Sequence, residues 1–531
     1  MGIKAAKTMK VSRESALSIL FLAPSLLFAV YYLLAGKMLE AALVLPMGIG
    51  ILLILRYMAK RNLPKKVDFA LTTAIFHMYG LSLGETSPED LVKTIAENRE
   101  YGFYSKIFQK IRSLAKDFGY GITKATAHIA EAVKPPLKDI LVRLTNVFSS
   151  VEPRGYLEME SSMLIEEYSG YYTRAIETLK TLGGIFTSFQ SVTVFLIMTI
   201  VIMAIFMIDP SAIAFGYAIA ASSVIMMYAL FRASSPRERL VYIGRYPPKL
   251  YLGMRWSLIA TGASSTLLAF LLYFSRGPPF AFMTLGLGVI VPGVFGYMLE
   301  KHVSQIDRNY PTFLKALGEN LASTSDLKAA FSYIIQMELG PFKKLVKEAL
   351  ARLRLGIGHE QTMETLSSEA ASYQVHISNR IFLDALSRGA NPLEIGNALG
   401  NRVVKFIEFR KSRDVTAKGF QMIIMVMQPL TVMLLIVMQV LADFMSRYLV
   451  NLPYFGFNAI PIPLIEAGNI ALIFIMAVVN ALTIKEVSGG YWGTFLLNLG
   501  ILLITSGVTW LAAHIFIKFA LGSMPSIELP V

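Results

Sequence analysis

Nine apolar segments, each near the length a helix needs to cross a bilayer, constrain this chain more than any other feature. About 20 mostly apolar residues span the hydrocarbon core as a helix. The segments run approximately Ala16–Leu34, Leu39–Leu55, Gly184–Ile208, Ala212–Phe231, Ser257–Phe274, Phe280–Leu299, Phe420–Leu441, Leu464–Ile484 and Thr494–Ile517, the second being the shortest. A chain of 531 residues with 54% hydrophobic and 16% charged side chains, sorted into such blocks, is excluded as an ordinary water-soluble protein. Lys4, Lys7, Lys10 and Arg13 precede the first segment. That segment is too long for a signal-peptide core and has no small-x-small cleavage site after it, so it is expected to remain as a first span.

The basic residues set the expected direction. Between the fourth and fifth segments stand Arg232, Arg237, Arg239, Arg245, Lys249 and Arg255 against one acid, Glu238. Two long polar stretches, roughly Arg56–Gly183 and Glu300–Gly419, are also rich in Lys and Arg. The opposite side offers only short turns, Asp209-Pro210-Ser211 and a Gly-Pro-Pro after Arg276. The positive-inside rule therefore places the N-terminus and both long stretches in the cytoplasm and the C-terminus outside. It also accounts for the net charge of +14 without invoking nucleic acid. With no cysteine, disulfides, thiol catalysis and cysteine metal sites are excluded.

The pattern repeats: two spans, a long cytoplasmic stretch, two spans, the same again, then one further span. Short matches share an offset of 236–238 residues: Asp90-Leu91 with Asp326-Leu327, Gly119-Tyr120-Gly121 with Gly356-Ile357-Gly358, Leu157-Glu158 with Leu393-Glu394, and Gln190-x-x-Thr193-Val194 with Gln428-x-x-Thr431-Val432. An even number of spans per copy makes the two halves parallel repeats. Phe313, Leu314, Leu317, Leu321, Leu327 and Phe331 recur at spacings near three and four, as on amphipathic helices. Breaks fall at Thr86-Ser87-Pro88, Glu152-Pro153-Arg154-Gly155, Ser323-Thr324-Ser325-Asp326 and Gly389-Ala390-Asn391-Pro392. The expected fold is all-α, a polytopic membrane protein with about nine spans and two repeated cytoplasmic bundles of about six helices each. Its parts are a span pair (residues 1–56), a first helical domain (57–183), a span pair (184–231), a basic loop (232–256), a span pair (257–299), a second helical domain (300–419) and three C-terminal spans (420–531).

No catalytic constellation, cofactor motif or metal-ligand spacing stands out. The Gly356-Ile357-Gly358 cluster lacks the lysine of a phosphate loop and reads as an interhelical turn. His359-Glu360 begins like a zinc-protease helix, but Met363 stands where the second histidine is required. Glu40, Asp209, Asp443 and Glu466 lie near the outer ends of spans and His514 toward the outer end of the last, so no charged path crosses the midplane. Gln190 and Gln428, repeat-related and within equivalent spans, are expected to form interhelical hydrogen bonds. Arg232, Arg237, Arg239, Arg245, Lys249 and Arg255 suit lipid headgroups and an acidic cytoplasmic partner alike.

Leu327-Lys328-Ala329-Ala330-Phe331, near the start of the second helical domain, together with the paired domains, resembles the type II secretion F-domain family. The corresponding first-copy stretch, Leu91-Val92-Lys93-Thr94-Ile95, is more divergent. The whole plan is similar to that family's archaeal branch, the membrane platforms of archaella and archaeal type IV pili. The resemblance implies a non-enzymatic platform, without cofactors, that docks a hexameric cytoplasmic secretion ATPase and handles pilin- or archaellin-like subunits, as a homodimer. A secondary transporter built on parallel repeats and a membrane scaffold or receptor are the rival readings.

Overall fold

The structure, a computed structural model, describes residues 67–150, 152–203, 210–449 and 461–522. The first two expected spans, the Asp209 turn residue and both chain ends lie outside the described residues. Sixteen α-helices follow one another there. The first bundle holds α1 (Phe69–Ser82), α2 (Pro88–Glu97), α3 (Phe103–Lys116), α4 (Ile122–Ala132), α5 (Leu137–Ser149) and the start of α6 (Pro153–Met203). Next come α7 (Pro210–Ser234), α8 (Lys249–Arg276) and α9 (Pro278–Thr324). The second bundle continues with α10 (Leu327–Ile334), α11 (Phe342–Arg354), α12 (His359–Ala370), α13 (Tyr373–Leu386) and α14 (Pro392–Leu449), followed by α15 (Ile462–Ser488) and α16 (Trp492–Gly522). Among the described residues there is no strand, only one isolated bridge between Val241 and Ser372. The all-helical class read from the sequence holds.

Local chemistry explains where the helices begin. The Asp68 carboxylate accepts the Leu71 N–H at 2.9 Å and caps α1. Ser87 caps α2, with Pro88 filling the first position, where no N–H is needed. Asp326 accepts from Lys328 and Ala329 to start α10. The matched acids Asp90 and Asp326 thus do different work, since Asp90 sits inside α2 and accepts from the Ser87 hydroxyl.

Seven described helices (α6, α7, α8, α9, α14, α15 and α16) are long and apolar enough to cross a membrane, and they contain the fourth to ninth expected spans and the third as far as Met203. Three of them far exceed a bilayer. α6, α9 and α14 have 51, 47 and 58 residues, or about 77, 70 and 87 Å against a hydrocarbon core of about 30 Å. Each is a membrane span and a bundle helix in one continuous rod. The expected limits at residues 183/184, 299/300 and 419/420 fall inside these helices, whose backbone is unbroken there. Pro292, Pro311 and Pro429 lie inside these rods without ending them.

The two bundles do not have separate interiors. One apolar core runs from Phe69, Phe108 and Leu144 of the first to Phe313, Phe342 and Phe382 of the second. Ion pairs tie the rim across the same boundary: Arg388 to Asp90 at 3.1 Å and Arg154 to Glu394 at 2.8 Å. A second core fills the membrane part, centred on α15. There α9 and α16 approach backbone to backbone. A Cβ added to Gly493 would sit 2.1 Å from the Gly296 carbonyl carbon, so only glycine fits.

Candidate partner interface

The segment joining α7 to α8 carries three of the six expected docking residues, Arg237, Arg239 and Arg245, and it is strapped to the bundles. Ala371 ends α12 with φ +52°, which turns its carbonyl outward to accept the Tyr242 N–H at 2.8 Å. Tyr373 N–H donates back to the Leu240 carbonyl at 3.1 Å. The Ser368 hydroxyl accepts the Tyr246 N–H at 2.9 Å and donates to the Tyr246 carbonyl at 3.0 Å. The Tyr242 ring stacks on His376, with centroids 3.7 Å apart. Burial, with Arg380 nearby, pulls the His376 imidazole down to about 4, so it is neutral at physiological pH.

A row of arginines on α14 connects this strap to everything around it. Arg402 is buried and donates to the Thr72 carbonyl and the Thr73 hydroxyl of α1, with Phe76 and Phe406 against its guanidinium. Arg410 donates to Asp307 of α9 at 2.7 Å, to Glu238 of the strap at 3.4 Å and to the Arg239 carbonyl at 3.3 Å. Asp307 also accepts the Ser372 hydroxyl. Arg413 caps the end of α15 through the Val487 and Glu486 carbonyls and reaches the Pro236 carbonyl at 2.9 Å. One helix face thereby joins the first bundle, the strap and the membrane core. No sequence motif marked these residues, because their partners lie up to 330 positions away.

The six basic residues named from the sequence differ in how far the fold engages them. Arg239 pairs with Glu100 at 2.8 Å and lies over the Tyr373 ring, so part of its charge is already matched within the fold. Arg232, in the last turn of α7, donates to the Tyr228 hydroxyl at 3.3 Å. Arg237, Arg245, Lys249 and Arg255 are exposed. Glu238, the single acid, accepts from the Tyr168 hydroxyl at 2.9 Å and faces Arg410 rather than solvent. The segment's outward face is therefore more basic than its sequence.

Gln190 on α6 and Gln428 on α14 are both buried in the membrane part. Gln190 Nε2 donates to Thr431 Oγ1 at 2.9 Å, linking equivalent helices of the two copies. Gln428 accepts from Asn480 of α15 at 2.7 Å and donates to Ser506 of α16 at 3.3 Å. Among the described residues, no group of three or more His, Asp or Glu could hold a metal ion.

These features define a class: a multi-pass, all-helical membrane protein whose spans run unbroken into a shared two-copy helical body. Within that class the chain is similar to Flagella accessory protein J of Methanocaldococcus jannaschii, with 23% identity over 421 residues covering 73% of this chain and 74% of that protein. The protein of the same name from Methanococcus voltae is 22% identical over 371 residues, 66% of each chain. The resemblance to the archaeal platform proteins is thereby borne out. No family model matches the chain, and no solved structure does.

Proposed function

We propose that this protein is a non-enzymatic membrane platform for assembly of an archaellum-like filament. The observation that carries this reading is the similarity, over about two thirds to three quarters of the chain, to two proteins named for an accessory role in flagella. A cytoplasmic ATPase docks on the bundles and on the basic strap, and its motion passes along α6, α9 and α14 to the membrane part. Extracting one apolar subunit helix from lipid forfeits about 10 kcal/mol, from about 20 residues at about 0.5 each. The chain has no phosphate-binding loop of its own, so that work comes from the partner. The continuous rods support this reading, because a helix without an intervening loop transmits displacement with little loss. Deletion of the gene in its source cell, followed by electron microscopy, tests the proposal. Loss of surface filaments, restored by the plasmid-borne gene, is expected; unchanged filaments would overturn it.

A further inference from the structure

The repeat-related rods α6 and α14 keep a register of 238 residues along their buried faces. Leu157, Leu164, Tyr168 and Gln190 of α6 match Ile395, Arg402, Phe406 and Gln428 of α14, and all eight are buried. The outward faces of the two bundle portions differ. Tyr156, Met159 and Met163 form one stripe by their i, i+3, i+7 spacing and are 50%, 58% and 50% exposed. In the same register α14 carries Glu394, Asn397 and Asn401. Exposed positions contribute little to folding whatever they carry. The second copy makes do there with an acid and two amides, so the fold does not require the apolar stripe of the first.

Lipid does not cover the stripe. Met163 and Tyr156 precede the expected span start at Gly184 by about 31 and 42 Å along unbroken α6. The chain's own residues 1–66 do not fit it either. Phe69 and Tyr168 both pack on Phe406, so α1 begins near the level of Tyr168. Residues 56–66 extend over at most about 40 Å, too little to leave the membrane, lie along the stripe and return to that level. The basic run from Lys4 to Arg13 is tied to the expected span start at Ala16, and as a helix it reaches only about 18 Å.

Charge selects the occupant. Glu152, Glu158 and Glu167 around the stripe are exposed and form no ion pair among the described residues. The neighbouring bases are taken, Arg143 by Glu160 at 2.7 Å and Arg154 by Glu394 at 2.8 Å. A second copy meeting the stripe through the same face would set these acids against each other. Methionines adapt to varied apolar surfaces, and an i, i+3, i+7 row is the footprint of a helix laid along it. We propose that Tyr156, Met159 and Met163 seat an amphipathic helix of a soluble protein, with lysines or arginines flanking its apolar face. The site is separate from the basic strap, which suits an acidic partner, and it does not rest on the platform reading.

The test uses the full chain in detergent, with a photo-crosslinking phenylalanine analogue at Tyr156 or, as control, at Asn401 of α14. The probe is a synthetic amphipathic helix of Leu and Lys, compared with the same helix carrying Glu in place of Lys. Adducts with the Lys peptide at 156, few at 401, few with the Glu peptide and fewer at high salt are expected. Met159→Asn with Met163→Asn puts the α14 residues at exposed positions of α6 and should lower the adduct about tenfold. Equal adducts at 156 and 401, or adducts indifferent to peptide charge or to the double variant, would overturn the proposal. In the source cell, mass spectrometry of adducts at 156 should identify a soluble protein at a segment with Lys or Arg beside apolar residues. Adducts there only with lipid, with a second copy or with residues 1–66 would also overturn it, whatever gene deletion does to filaments.

Discussion

Arg402 of the second copy donates to the Thr73 hydroxyl of the first at 2.6 Å, deep in the core that both bundles share. Its other bond goes to a backbone carbonyl, and three phenylalanine rings surround the guanidinium. The cation is held by dipoles and π-faces rather than by a carboxylate. Truncating it removes packing as well as charge. Arg402→Ala is expected to destabilise the protein by about 3 kcal/mol. Arg402→Met, which keeps the volume and drops the buried charge, should recover most of that loss. Thermal unfolding in detergent checks both, and an alanine variant as stable as the parent would refute the account.

The α9–α16 seam gives a sharper steric prediction. Gly493→Ala forces two helices apart at a point where no side chain can give way, and a cost of roughly 2 kcal/mol is expected. Gly419→Ala, where a Cβ meets nothing within 4 Å, should be neutral or slightly stabilising. Equal effects of the two substitutions on the melting temperature would show that the seam is not close-packed.

Acidification should loosen the strap. His376 is neutral in the fold with its value lowered from 6.5 to about 4, whereas in the unfolded chain it gains a proton near 6.5. The unfolded state therefore binds more protons as pH falls from 6.5 toward 4, and stability declines over that window and not above it. Fluorescence or proteolysis of the 235–248 segment as a function of pH measures this. His376→Phe, which keeps a ring against Tyr242, should flatten the profile.

Docking of an ATPase calls for separating exposed charge from structural charge. Arg237→Glu with Arg245→Glu changes residues on the surface and should slow association and steepen its salt dependence, with the fold intact. Arg239→Glu also places a second acid beside Glu100 and is expected to lower stability. If the double variant binds the purified ATPase as the parent does, the strap is not the docking surface.

The sequence by itself determined the class and much of the layout. Runs such as Leu464–Ile484 can only be buried in lipid or protein. Gly119 and Gly356 fall at the expected interhelical turns and take positive φ, which glycine adopts without strain. The offset between the copies also survives in three dimensions: six helices per bundle, in the same order. The tertiary structure decided everything that depends on distance along the chain. A local pattern cannot reveal that two bundles share a core, since Phe313 and Phe69 each look like ordinary apolar positions on their own helices. It cannot say that Arg239 is matched by Glu100 while Arg245 stays free for solvent, because charge appears in sequence without its partner. Nor can it separate Gln190 from Gln428. The two stand in the same local motif, and only the helices packed around them leave one oxygen satisfied and the other without a donor.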